Sequence, residues 1–157
     1  MEGREQLDRA FGEVAALAGR ARDRWWVIGS AAATLHGASA GTVRDIDLLM
    51  SVRDSAELLR GCGVAPRPGV PDGRFRSQVF GIVALRSLPL EVMGGLHLRT
   101  GRGWSRLRLR SRERMRVGDA ELFVPAATEL LRLFRRFGRE KDLSRAASLE
   151  ALAEEKG

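Results

Sequence analysis

Asp45 and Asp47 stand one residue apart in Arg44-Asp45-Ile46-Asp47-Leu48, inside a hydrophobic run. On a strand that alternation puts both carboxylates on one face, because side chains repeat every two residues. Upstream, the hydrophobic run Trp25–Ile28 ends in Gly29-Ser30, a turn whose backbone can approach phosphate. Two carboxylates beside such a turn suit a divalent cation together with a nucleoside triphosphate. Mg²⁺ takes a few carboxylate ligands plus phosphate oxygens. Two ions about 3.5–4 Å apart can clamp the attacking and leaving oxygens of an in-line displacement. Such a site needs a third carboxylate from a neighbouring strand. Glu91, in Leu88-Pro89-Leu90-Glu91-Val92-Met93, is the candidate. Its apolar neighbours place it within a sheet, where an unpaired Glu is costly unless a metal or partner meets it.

The elements that must position these groups follow from periodicity. Residues 4–19 form an amphipathic helix, with Leu7, Phe11, Val14, Ala15 and Ala18 at helical spacing. A short buried strand over 25–28 leads through the Gly-Ser turn to an alanine-rich helical segment, 31–36. A strand covers 45–51, and Asp54 can cap a helix running to about Arg60. Residues 78–85 and 88–93 read as adjacent strands, and 121–124 as a last strand. Pro125 suits the first position of a helix ending at Gly138, and Asp142 suits the cap of a final helix to about Glu155. The order predicts an α/β (α+β) fold: a mixed sheet with flanking helices and two C-terminal helices. It fits a single domain over 1–157, with the core at about 25–124 and the C-terminal helices at about 125–155.

At this point the chain resembles the nucleotidyltransferase superfamily related to DNA polymerase beta. The resemblance rests on hydrophobic–Gly29–Ser30, a helix, then Asp45–Ile46–Asp47–Leu48. Thr42-Val43-Arg44-Asp45-Ile46-Asp47-Leu48-Leu49 is most similar to the minimal bacterial enzymes, the abortive-infection and toxin–antitoxin nucleotidyltransferases and the small antibiotic nucleotidyltransferases. Phe123-Val124-Pro125 and Gly138-Arg139-Glu140-Lys141-Asp142-Leu143 also resemble the toxin-related group. The resemblance implies transfer of NMP from an NTP to an acceptor hydroxyl, with Mg²⁺ or Mn²⁺ as cofactor. It implies that Gly29 and Ser30 hold the triphosphate and that Asp45, Asp47 and Glu91 bind metal. It further implies that Lys141 neutralises the triphosphate, assisted by Arg139. The acceptor is expected to be an RNA or tRNA end, with a small molecule such as an antibiotic as the alternative, and an antitoxin as a further partner. A non-catalytic RNA- or protein-binding module on the same fold is the competing class. Convergence or divergence of the three carboxylates separates the two.

Net charge is +7, almost all of the basic side being arginine, which favours polyanionic partners. Two surfaces carry it. Arg106 to Arg116 alternate strictly with other residues, as on a hairpin turned at Ser111-Arg112-Glu113. Arg132, Arg135, Arg136 and Arg139 form a helical stripe leading to Lys141. Trp25 and Trp26 are expected to pack the first strand, and His36 to end a helix. His97, after Gly94-Gly95, is weighed as a substrate contact, and Cys62 is given no catalytic role. One cysteine excludes an intrachain disulfide and a Cys-rich zinc site. The absence of a long apolar run or a signal-like start points to a cytoplasmic protein away from the membrane.

Overall fold

The structure, a computed structural model, describes residues 2–39 and 41–156. Helix α1 (Glu2–Ala18) precedes strand β1 (Trp26–Ile28) and the short helix α2 (Gly29–Leu35). Strand β2 (Ile46–Met50), helix α3 (Val52–Gly61) and strands β3 (Phe75–Ala84), β4 (Pro89–Thr100) and β5 (Gly103–Arg106) follow. Strands β6 (Glu113–Val117) and β7 (Ala120–Val124) then lead to helices α4 (Ala127–Phe137) and α5 (Glu140–Lys156). The order β1-β2-β4-β3 forms one sheet, with β5 on β4, while β6 and β7 pair separately. β2 and β4 run parallel and the other pairs antiparallel, so the sheet is mixed as predicted. Among the described residues no helix is long and apolar enough to cross a membrane.

Alternation along β2 and β4 sorts side chains between a core face and the site face. Ile46, Leu48, Leu90 and Val92 are wholly buried, and Leu59 of α3 is buried with them. Asp47 and Glu91, between those pairs, point the other way and are half-buried. Pro89 is tolerated because it is the first residue of β4, where a missing N–H disturbs little. On α4, Leu130, Leu133, Phe134 and Phe137 form the buried stripe, and Gly138 closes the helix at φ +70°.

Several local expectations shift. Ser51, not Asp54, caps α3: its Oγ accepts from Asp54 N at 3.1 Å. Asp54, three residues on, instead accepts from the backbone N–H groups of Arg22 and Asp23 at 3.1 and 2.8 Å, tying the α1–β1 connection to α3. Pro125 lies just before α4, whose cap is Ala126. Its carbonyl meets His36 Nε2 at 2.7 Å, at the end of α2. Asp142 sits inside the first turn of α5 rather than at its cap.

The arginine hairpin is replaced by an extended crossing. β5 ends at Arg106 and pairs with β4, whereas β6 begins at Glu113 and pairs with β7. Glu129 causes the break. Its carboxylate accepts from Arg110 N at 2.9 Å, from Ser111 N at 2.8 Å and from the Ser111 hydroxyl. Arg112 is drawn inward, its guanidinium 3.4 Å from the centre of the Phe123 ring and its Nε donating to Trp25 O at 3.1 Å. Trp26 donates its indole N–H to Ser111 O at 2.8 Å. The alternating arginines therefore do not share one face.

Burial alone would raise the Glu129 carboxyl. The hydrogen bonds from Ser111 and Arg110, and the charge of Arg132, outweigh it and hold the group below its ordinary range. A depressed folded pKa stabilises above the unfolded value and loses that contribution as pH falls through the folded one. Glu129→Gln is expected to cost about 2 kcal/mol at pH 7. The gap to the parent should narrow below about pH 4.3, as followed by urea unfolding across pH. A constant gap would contradict the ionic role.

Candidate active site

Three strands bring the acidic residues together. In cross-strand register Ile28 faces Asp47 on one side, and Asp47 faces Glu91 on the other. Asp45 lies just before β2. Carboxylate oxygens of Asp45, Asp47 and Glu91 all fall within 4.8 Å of one another. The third carboxylate thus comes from the neighbouring parallel strand, at the position the alternation around Leu90 and Val92 assigns it.

Gly29 closes this cluster from β1. Its φ is +71°, and a Cβ there would lie 2.6 Å from Asp47 Oδ2. Only glycine lets the backbone pass this close in that conformation. The same residue opens α2, which has no side-chain cap. The first N–H groups of that helix are thus left without a side-chain acceptor next to the carboxylates. Ser30, the second residue of α2, is buried.

Like charges at this distance are unfavourable unless something balances them. Burial, then the facing Glu91, then Asp45 push the Asp47 carboxyl well above its ordinary range, while Arg145 acts in the opposite sense. Asp47 Oδ1 is shut off from solvent and has no hydrogen-bond partner among the described residues. A buried, unpaired oxygen beside two further carboxylates fits a hard divalent cation, whose ligands are oxygen donors of this kind.

A cavity of about 510 Å³ opens beside the carboxylates. Asp47 and Glu91 line one end, and Phe75, Phe80 and Phe137 supply apolar wall. Arg139 reaches it from the α4–α5 corner, its guanidinium 4.8 Å from the centre of the Phe75 ring. Lys141, two residues further on, is exposed and does not line the cavity.

The cation arrangement at this corner is built on Asp142. Its carboxylate is fully buried and receives Arg139 Nε at 2.6 Å and Nη2 at 3.0 Å. Arg145 Nη1 lies 3.6 Å from its other side. Sequence reasoning singled out Arg139 but missed Asp142 as its anchor and Arg145 as a second cation. The signal was present as Arg139-x-x-Asp142-x-x-Arg145, where i,i+3 positions are neighbours on a helix.

His97 is not brought to the cavity. Strict alternation from Glu91 through Met93 would have carried Gly95 and His97 onto the site face. The ladder between β3 and β4 skips Gln78 and Gly95, and Gly95 takes φ +64°. Gln78 occupies the space a side chain at Gly95 would need. Beyond this point Leu96, rather than its neighbour His97, lines the cavity with Met93. His97 Nδ1 contacts Gly95 O at 2.8 Å instead.

No protein-family model matches the chain, and no curated protein does. Among solved structures, a Thermotoga maritima protein assigned as a nucleotidyltransferase superposes with TM-score 0.72 at 20% identity, over 94% of this chain and 92% of that one. This chain has the nucleotidyltransferase fold. The antibiotic-resistance factor ANT(2'')-Ia is similar at TM-score 0.57 and 11% identity, over 99% of this chain and 88% of its own. An antigenic nucleotidyltransferase-like protein from Paracoccidioides brasiliensis gives 0.51 at 15% identity, over 94% and 77%. At these identities the likeness is one of fold. Within that nucleotidyltransferase fold, the carboxylates, Gly29 and the cavity are this chain's own chemistry.

Proposed function

We infer that this chain transfers a nucleoside monophosphate from an NTP to an acceptor hydroxyl with the help of a divalent cation, Mg²⁺ or Mn²⁺. The observation that carries this reading is the convergence of Asp45, Asp47 and Glu91 within 4.8 Å, with Asp47 Oδ1 enclosed and unpaired. A purely binding module on this fold would have no use for three carboxylates held so close at that electrostatic cost.

Asp45, Asp47 and Glu91 would hold the cation, which when bound supplies charge neutralisation at the triphosphate and a more acidic acceptor hydroxyl. The acceptor oxygen forms its bond to the α-phosphorus as the bond from that phosphorus to the bridging oxygen breaks, and pyrophosphate leaves. Glu91 would help activate the acceptor hydroxyl and take up its proton. Backbone N–H groups at Gly29 and Ser30 would face the phosphates, a fixed donor array that needs no reorganisation. Arg139, and Lys141 less directly, supply positive charge on the far side. The apolar walls at Phe75, Phe80 and Phe137 suit the nucleoside.

The net charge of +7 favours a polyanionic acceptor, an RNA or tRNA end. This is the acceptor that the resemblance to toxin–antitoxin and phage-defence enzymes implies, with an antitoxin as a further partner. A small-molecule acceptor is the second reading. It is favoured by the cavity of about 510 Å³ beside the carboxylates and by the likeness in fold to ANT(2'')-Ia.

The test is incubation with each α-labelled NTP and Mg²⁺, supplied with total tRNA or with a panel of small hydroxyl acceptors. Label should enter one acceptor class with release of pyrophosphate, and chelation should stop it. Glu91→Gln is expected to lower the rate by about 10²-fold or more. Transfer that proceeds equally in chelator would overturn the reading.

A further inference from the structure

A second groove, of about 560 Å³, continues along the same face of the sheet. Its floor is apolar: Trp26, Leu49 and Leu96 line it. Trp26, Leu49 and Met93 form one cross-strand row, and Ile28, Asp47 and Glu91 form the adjacent same-face row. Two residues along a strand span about 6.6 Å. Leu96 lines both this groove and the cavity at the carboxylates. The groove therefore adjoins the candidate active site at Leu96.

Its rim is strongly basic. Arg24, Arg106, Arg108 and Arg110 line it, and all four are exposed. Among the described residues none of the four enters an ion pair. The one carboxylate on the rim, Asp23, is held by Arg53 at 3.0 Å. Some arginines elsewhere are engaged, Arg114 and Arg116 with Glu121, Arg135 with Glu150 and Arg139 with Asp142, while Arg132 and Arg136 on α4 enter no ion pair among the described residues and so serve as matched controls. The crossing that broke the predicted hairpin is what gathers Arg106, Arg108 and Arg110 here, since Glu129 fixes the backbone at Arg110 and Ser111.

We propose that this groove is the acceptor track: it binds the single-stranded end of a polynucleotide, phosphates on the arginine rim and a base against Trp26, and leads the terminal hydroxyl to Asp47 and Glu91. The proposal rests on the nucleotidyl-transfer reading for its direction, and on the groove's own composition for its ligand. Unpaired guanidinium groups around an apolar floor with one aromatic ring match a single strand, which offers phosphates and bases together. An acidic protein segment would use the rim and leave the floor without a partner.

The full chain is tested with a short fluorescent single-stranded oligoribonucleotide, without NTP, across a salt series. Arg106→Ala/Arg108→Ala is compared with Arg132→Ala/Arg136→Ala, which removes the same charge from exposed positions on α4. Each single-strand phosphate contact contributes a slope of roughly 0.7 in log affinity against log salt. The groove variant should lose about 1.4 of that slope and about 25-fold in affinity at 0.1 M salt. The α4 variant should lose less than about threefold. Equal losses in both variants, or no loss in either, would overturn the proposal. So would polyglutamate displacing the oligonucleotide at equal charge concentration, which would assign the rim to an acidic protein. Transfer assays separate the two readings. A raised KM for the oligonucleotide with unchanged kcat in the groove variant supports the track. Transfer at parental KM refutes the track and leaves the enzyme. Groove-localised binding with no transfer to any acceptor leaves the track's ligand and refutes the enzyme.

Discussion

Asp47→Asn is expected to abolish nucleotidyl transfer while making the protein more stable. The loss should reach about 10³-fold or more, at least that of removing a single oxyanion donor in other phosphoryl- or acyl-transfer sites. Asn keeps the shape but removes the charge that balances a cation. The gain in stability has the same origin. Asp47 is partly buried with Oδ1 shut off from solvent, faces Glu91 and lies beside Asp45, and these three influences hold its carboxyl above the ordinary range. A raised folded pKa means that stability is lost as pH climbs from the unfolded value near 3.9 towards the folded one. The neutral amide escapes that loss, so at pH 7 in chelator its advantage should be about 1–2 kcal/mol. Mg²⁺ should reverse the order. It binds the folded parent and raises its Tm with concentration, and it should leave the variant nearly unmoved. A variant that transfers at more than a tenth of the parental rate would sink the assignment. Equal Mg²⁺ stabilisation of both proteins would remove Asp47 from the metal site.

The carboxylates were legible because they depend on one short-range rule. Asp45, Ile46 and Asp47 alternate on β2, and Leu90, Glu91 and Val92 alternate on β4. A buried sheet face allows only one register for each strand. Gly29 was legible as a Gly-Ser turn after a hydrophobic strand, but its need to lack a Cβ against Asp47 emerges only from the fold. What failed depended on distant partners. The arginine alternation from Arg106 to Arg116 has the period of a hairpin, yet Glu129, nearly twenty residues on, captures the backbone at Arg110 and Ser111. His97 was weighed as a substrate contact from its place just after Gly94-Gly95, but Gly95 takes a positive φ and Leu96, not His97, faces the cavity. Asp142 was read as a helix cap because caps are local. Its pairing with Arg139 and Arg145 was readable in the i,i+3 spacing, whereas its complete burial depends on how α5 packs after Gly138.

Asp142 carries the second large effect. Asp142→Ala should destabilise the fold and disable the site through the same loss. The side chain is wholly buried and bridges Arg139 and Arg145. Removing one partner from a buried ionic cluster costs about 3–5 kcal/mol when the remaining charge stays buried. Here the Arg139 and Arg145 side chains retain 34% and 20% exposure and can turn towards water. About 2–3 kcal/mol is therefore expected, measured as the shift in urea unfolding. The functional consequence follows from position. Arg139 lines the cavity; Arg145, like Lys141, lies outside its lining, but it is anchored on Asp142 and its charge opposes the burial and like charges that raise the Asp47 carboxyl. Lys141 is exposed, on α5 but away from the cavity lining. Arg145→Ala should accordingly lower kcat/KM for the NTP by about tenfold or more, whereas Lys141→Ala should change it less than about threefold. Arg145→Lys should recover only part of the loss, because a point charge cannot reproduce the guanidinium fork against Asp142. The reverse order, with Lys141→Ala the more damaging, would show that the triphosphate reaches over the outer turn of α5 and that Asp142 serves the fold alone.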